Sequence, residues 1–578
     1  MEIFKNYGNY KKYEPEYLHW KNKIDREEAK RQQYLQSNPL NEKEKLEASQ
    51  KGKILLNAID IMDEYSQTKA EDVEIATDIA GGHIQSMIYV GIMAIAGILF
   101  TKSNKINSFF NKISKNYSAE LIGIMGGVIA GLASIPFVSL TAKAQIGASR
   151  QGRFEAMRKE LDNPAHFANL SEEQLQKALE ISKNIQLDEN DLKNINKANI
   201  QKNPFDFFKT INNLLKERKL YQKEKNEFEK QLNQNQEKFA KPLINDEILE
   251  AKKDKQLLAK LVNKIDIASQ DYAENIEMLT NISTVLLTGS GIVGGLLTNK
   301  VLKLCKIDNL KYGNIIRPAA FLITTLLPSI LFQSYFTMLQ KQGSRIGRFK
   351  VKQELAKDIN NFAYIDDEKI KNIQDVKLAP EKKPNIFKFL LQTIKDNKEY
   401  QQYLKTEARE NKKRNKAVSK LNLSQEQINK AKSLQLNTFK AFNEVDDMSQ
   451  KYAESVEAVG EVAQNTFGRL FKSLGIILGM IIAYKPIMDG KYKTIESLKK
   501  TDFSRFIFIP LFSALCGMIP SVLLEIYVTK EQKKASRVAN MMAIRNLDDY
   551  RHFVNYEQVE KANIQKIIDN IFKKQVIS

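Results

Sequence analysis

The chain has 578 residues, with 89 Lys+Arg against 69 Asp+Glu and a formal charge of +20, a length that suits three or four ordinary domains and a sign that favours anionic partners. Its two cysteines, Cys305 and Cys516, have no CxxC spacing, and its four histidines (His19, His83, His166, His552) form no HExxH pair. A disulfide framework, a structural zinc site and a zinc-peptidase site are therefore excluded.

From the N-terminus, MEIFKNYGNYKKYEPEY is charged and aromatic, so no cleaved secretory signal is expected. The mean hydropathy is negative, yet it averages over apolar islands in a very polar chain. Ile79–Thr101, Leu121–Ala142, Met278–Asn299, Pro318–Gln340 and Phe506–Leu524 run free of Asp, Glu, Lys and Arg. Roughly 20 apolar residues cross a bilayer core as a helix, and each of the five is about that long. A sixth stretch, Ser473–Tyr484, is shorter and spans only if Lys472 and Lys485 snorkel to the interfaces. The stretches pair across short basic turns, as three helical hairpins. That arrangement puts the termini and both long connectors on one face, which we expect to be cytoplasmic.

An internal repeat supports the pairing. Ser-Gln-x-x-Ala-Glu-x-x-Glu precedes each hairpin, as SQTKAEDVE from Ser66, SQDYAENIE from Ser269 and SQKYAESVE from Ser449. A Ser-Arg marker follows each hairpin, as SRQGRFEAMRKEL from Ser149, SRIGRFKVKQEL from Ser344 and SRVANMMAIRNL from Ser536. Further on lie HFA, NFA and HFV, at Phe167, Phe362 and Phe553. The expected units are residues 1–200 with spans at about 79–101 and 121–142, 201–382 with spans at about 278–299 and 318–340, and 383–578 with spans at about 470–488 and 506–524. The N-terminal tail supplies a leading part and the C-terminal tail a trailing part, so the tails are expected to dock and close a pseudo-threefold ring. Ser171/Gln174 and Ser424/Gln427 fit capping boxes. The polar regions show no strand alternation, so the fold class is all-α, with long, coiled-coil-like extramembrane helices.

Two readings fit the repeated charges. Glu71/Glu74, Glu274/Glu277 and Glu454/Glu457 are i,i+3 pairs that threefold convergence would gather as six carboxylates around a cation. Alternatively, Glu71 and Arg150, Glu274 and Arg345, and Glu454 and Arg537 stand at matching distances from their hairpin turns. Each acid would then face its arginine across an antiparallel helix pair and set its register. The ion-pair reading is the plainer and is the one expected. No metal, cofactor or catalytic residue is assigned.

Within the apolar stretches, Gly123/Gly127/Gly131, Gly291/Gly295 and Gly475/Gly479 have the spacing of close helix packing. Three two-helix repeats are also the plan of the mitochondrial carrier family, but its Pro-x-Asp/Glu-x-x-Lys/Arg motif is missing where the first helices end in GILFTKSNK, LLTNKVLK and IIAYKPIMDG. No Walker A loop, GxSxG elbow, kinase signature or Rossmann glycine pattern occurs. The expectation is a non-enzymatic multi-pass membrane scaffold whose basic helices meet anionic lipid headgroups and a protein partner, with no specific nucleic acid. The alternative is a transporter or channel along the pseudo-threefold axis. A polar-lined axis would favour the second, and a dry, glycine-packed centre the first.

Overall fold

The computed structural model describes residues 2–102, 135–195, 245–304, 339–374, 386–464 and 502–554, with isolated exceptions, and describes the backbone alone over 75–102, 279–304, 386–391 and 502–521. Among the described residues the fold is all-α, without a strand. The order is α1 (Glu2–Ser37), α2 (Glu42–Lys102), α3 (Ile135–Lys159), α4 (Glu172–Lys183), α5 (Glu189–Ile195), α6 (Asn245–Leu304), α7 (339–356), α8 (Asp367–Ile370), α9 (Ile386–Lys405), α10 (Glu407–Val418), α11 (Gln425–Ala463) and α12 (Asp502–Asn546). Three of these carry the Ser-Gln marker and dominate the fold: α2, α6 and α11. At a rise of about 1.5 Å per residue, the 61 residues of α2 run about 90 Å.

One apolar core joins the three long helices. Leu55, Ile59 and Met62 of α2, Leu258, Leu261 and Ile265 of α6, and Phe442 and Val445 of α11 are buried in a single cluster. Spacings of three and four put each set on one helix face. The three repeated phenylalanines enter the same cluster, each from a 3-10 turn: Pro164–Phe167, Ile359–Phe362 and Tyr550–Phe553. Each turn starts from an Asn or Asp (Asn163, Asp358, Asp549) whose side chain accepts from the backbone N–H two residues on, the local bond that makes these residues good helix starters. Both expected capping boxes form, at Ser171/Gln174 and Ser424/Gln427.

Neighbouring segments interlock in a cycle. α3 packs on α2 and on α11, while α12 packs on α11 and on α6. α7 reaches α2 through Arg348 and Asp60, 2.8 Å apart. The N-terminal helix α1 lies against α11 and α12, with Tyr10 and Tyr17 in a cluster with Tyr452, Val456 and Val538. Tyr10 Oη donates to Glu531 Oε2 at 2.8 Å. The leading tail thus docks on the last hairpin segment. The residues beyond 554 lie outside those described.

Among the described residues no helix is long and apolar enough to cross a membrane. The expected spans fall almost wholly on residues outside the description or described by backbone alone. Gly123, Gly127, Gly131, Gly475 and Gly479 are outside it, and Gly291 and Gly295 lie on the backbone-only part of α6.

A candidate site of axial carboxylates

Three residues before each marker serine stands an aspartate: Asp63, Asp266 and Asp446, all fully buried. One oxygen from each lies within 4.8 Å of the others. The marker serines bind this triangle in a closed relay. Ser66 Oγ donates to Asp446 Oδ2 at 2.7 Å, Ser269 Oγ to Asp63 Oδ2 at 2.7 Å, and Ser449 Oγ to Asp266 Oδ2 at 2.9 Å. Each helix therefore serves its neighbour's aspartate and has its own served by the other neighbour. A second serine backs each first one: Ser149 behind Ser66, Ser344 behind Ser269 and Ser536 behind Ser449, at 2.6–2.7 Å.

The residue four places after the second serine completes the contact. Arg348 Nη1 donates to Asp63 Oδ2 at 2.5 Å and to Ser344 Oγ at 2.6 Å. Arg153 Nη1 binds Asp446 Oδ2 and, at 2.7 Å, Ser149 Oγ. In the third place Asn540 Nδ2 donates to Asp266 Oδ2 at 2.8 Å. Arg153 and Arg348 are essentially unexposed. A buried charge of this kind persists only when paired and hydrogen-bonded. Burial, opposed by the Arg348 charge, pushes the Asp63 carboxyl up to about 7. Burial and the other two aspartates push Asp266 well above the usual carboxylate range.

Glycine brings the second helices close enough. A Cβ on Gly152 would fall inside the backbone carbonyl of Tyr65, and one on Gly347 inside that of Ala268. The absence of a side chain at these positions lets α3 and α7 press their Ser and Arg onto the first helices. These glycines belong to the SRQGR and SRIGR segments, not to the GxxxG series.

Eleven residues beyond the aspartates, three turns up the same helix face and about 16 Å away, lies a second triangle. Glu74, Glu277 and Glu457 bring one oxygen each within 4.8 Å. Between the layers the repeated alanines Ala70, Ala273 and Ala453 are buried. Gln340 Nε2 donates to Glu277 Oε2 at 3.4 Å, and Gln532 Nε2 to Glu457 Oε2 at 3.1 Å. Burial and neighbouring glutamates hold Glu277 and Glu457 well above the usual carboxylate range. One turn below, Glu71 is 3% exposed and neither of its oxygens has a hydrogen-bond partner, nor has Glu274 Oε2. Burial pushes the carboxyls of Glu71 and Glu274 up to about 8.

The arginines expected to pair across each hairpin find acids on the adjacent segment. Arg150 forks onto Asp447, with Nη2 2.8 Å from Oδ2. Arg345 reaches both oxygens of Glu64 at 2.5–2.9 Å. Arg537 Nη2 donates to both oxygens of Asp271 at 2.8–2.9 Å. Each guanidinium thus binds an acid of the adjacent segment, and Glu71 takes no hydrogen bond from Arg150. The physical reason is access. Glu71, Glu274 and Glu454 are held in the interior, while Asp447, Glu64 and Asp271 stand part-exposed at the groove between segments. There a forked pair keeps some hydration and loses less solvation.

No family model matches the chain, and neither a curated protein nor a solved structure does.

Proposed function

We propose that the chain is a multi-pass membrane protein that admits cations along an axis between its three hairpins, with Glu74, Glu277 and Glu457 as the cation-binding entrance. The observation that supports this is the glutamate triangle itself. It is an all-oxygen donor set, crowded by further carboxylates at Glu274 and Glu454, as hard cations require. It sits where α2 and α6 run on toward the apolar stretches at 79–101 and 278–299. A polar-lined axis favours passage over a scaffold, and the described part carries carboxylates at two levels, with Ala70, Ala273 and Ala453 between them. In this reading the helical regions described above are cytoplasmic, their basic flanks rest on anionic headgroups, and no catalysis is involved.

The test is cation flux into liposomes carrying the full chain, followed with Ca²⁺ and Na⁺ indicators. Flux is expected for the wild type and a loss of at least tenfold for the triple variant Glu74→Gln, Glu277→Gln, Glu457→Gln. Unchanged flux in that variant would remove the entrance from the proposal. A purified chain that is monodisperse without detergent or lipid would remove the membrane.

A further inference from the structure

We infer that the Asp63–Asp266–Asp446 triangle holds one proton, shared among its unpartnered carboxylate oxygens, and takes no divalent cation. The inference does not depend on transport. It starts from orphaned atoms: Oδ1 of all three aspartates is buried without a hydrogen-bond partner, while every Oδ2 is fully engaged. Three buried carboxylates drawn this close together require positive charge among them.

Counting the surrounding charges sets its size. Three carboxylates meet two guanidiniums, Arg153 and Arg348, because the third place holds the neutral Asn540. The next layer is balanced: Asp60, Glu64 and Asp447 stand against Lys352, Arg345 and Arg150. The six serines that complete the site from α2, α3, α6, α7, α11 and α12 are neutral. One negative charge is left over. A proton cancels it, whereas a divalent ion would leave an unpaired positive charge. The proton resides on one Oδ1, the oxygen that each aspartate leaves without a hydrogen-bond partner. The elevated Asp63 and Asp266 carboxyls agree with this.

The sign follows from linkage. A proton bound only in the folded state stabilises fully below the ordinary Asp range near 3.8, and that stability is lost as pH rises through the folded value near 7. Thermal unfolding of the full chain in detergent, from pH 4 to 8, tests it with two isosteric variants. Asp266→Asn removes the surplus charge and should flatten the pH dependence by one proton, about tenfold in the unfolding constant per pH unit. Asn540→Asp adds a charge and should steepen it by a similar factor. Glu71 and Glu274 titrate in the same window, so the result is read as the difference from wild type. If one variant does not fold, the other decides. Slopes parallel to wild type would overturn the inference. So would Ca²⁺ or Mg²⁺ that stabilises the wild type and not Asp266→Asn.

Discussion

Ser66 on α2 and Asp446 on α11 lie 380 residues apart in sequence and share a buried 2.7 Å hydrogen bond. Ser269 with Asp63 and Ser449 with Asp266 repeat that bond around a closed ring. Since each bond joins different segments, loss of any one loosens two helices against each other. The relay is thus a joint between distant parts of the chain and not a feature of any single helix.

The guanidiniums in this joint are its most costly members to remove. Arg348 has its Asp63 bond in a fully buried setting and also serves Asp60 and Glu64. Arg348→Met leaves Asp63 without its counter-charge and is expected to cost about 3–5 kcal/mol. Ser269→Ala leaves the charges paired and removes the hydroxyl's hydrogen bonds to Asp63 and Ser344, at about 1–3 kcal/mol. Denaturant unfolding of the full chain in detergent should rank them in that order. Equal costs would mean that Arg348 acts only by filling space.

A double-mutant cycle separates the two possible partners of Arg150. The coupling between Arg150→Ala and Asp447→Ala should be about 1–2 kcal/mol, since the pair is forked and part-buried. Glu71→Ala combined with Arg150→Ala should be additive to within about 0.5 kcal/mol. Coupling at Glu71 equal to that at Asp447 would restore the pairing across the hairpin.

Two glycines five residues apart on α3 should respond in opposite directions to the same substitution. Gly147 has open space where a Cβ would go, so Gly147→Ala gains helix propensity and should stabilise by up to about 1 kcal/mol. Gly152 meets the Tyr65 carbonyl, and Gly152→Ala must push α3 off α2 at about 1–3 kcal/mol or more. Thermal shifts of the two variants read the sign directly. A neutral Gly152→Ala would show that the helices do not approach as described.

Helical class, the capping boxes and the three repeated phenylalanines were legible from local pattern. A capping box or an apolar stripe is written within a few turns of one helix. Asp63, Asp266 and Asp446 were within reach of the same reading, since they share one offset from the marker serines. Yet an aspartate one turn ahead of a serine carries no signal of its own, because its role depends on the neighbouring helices that meet it. Gly152 and Gly347 stand in the SRQGR and SRIGR segments, outside any GxxxG spacing, so their close approach to the first helices shows only in three dimensions.

By itself the sequence determined that the chain is helical, that its segments recur, and that carboxylates return at fixed offsets. These are properties of period and spacing, set by 3.6 residues per turn. Only the tertiary structure decided which acid meets which base. Height along a hairpin pointed Arg150 to Glu71, yet the guanidinium found Asp447 in the groove between segments, where a charge keeps more of its water. Partner choice depends on how three helices from distant parts of the chain are rotated about one another, and no single helix carries that information.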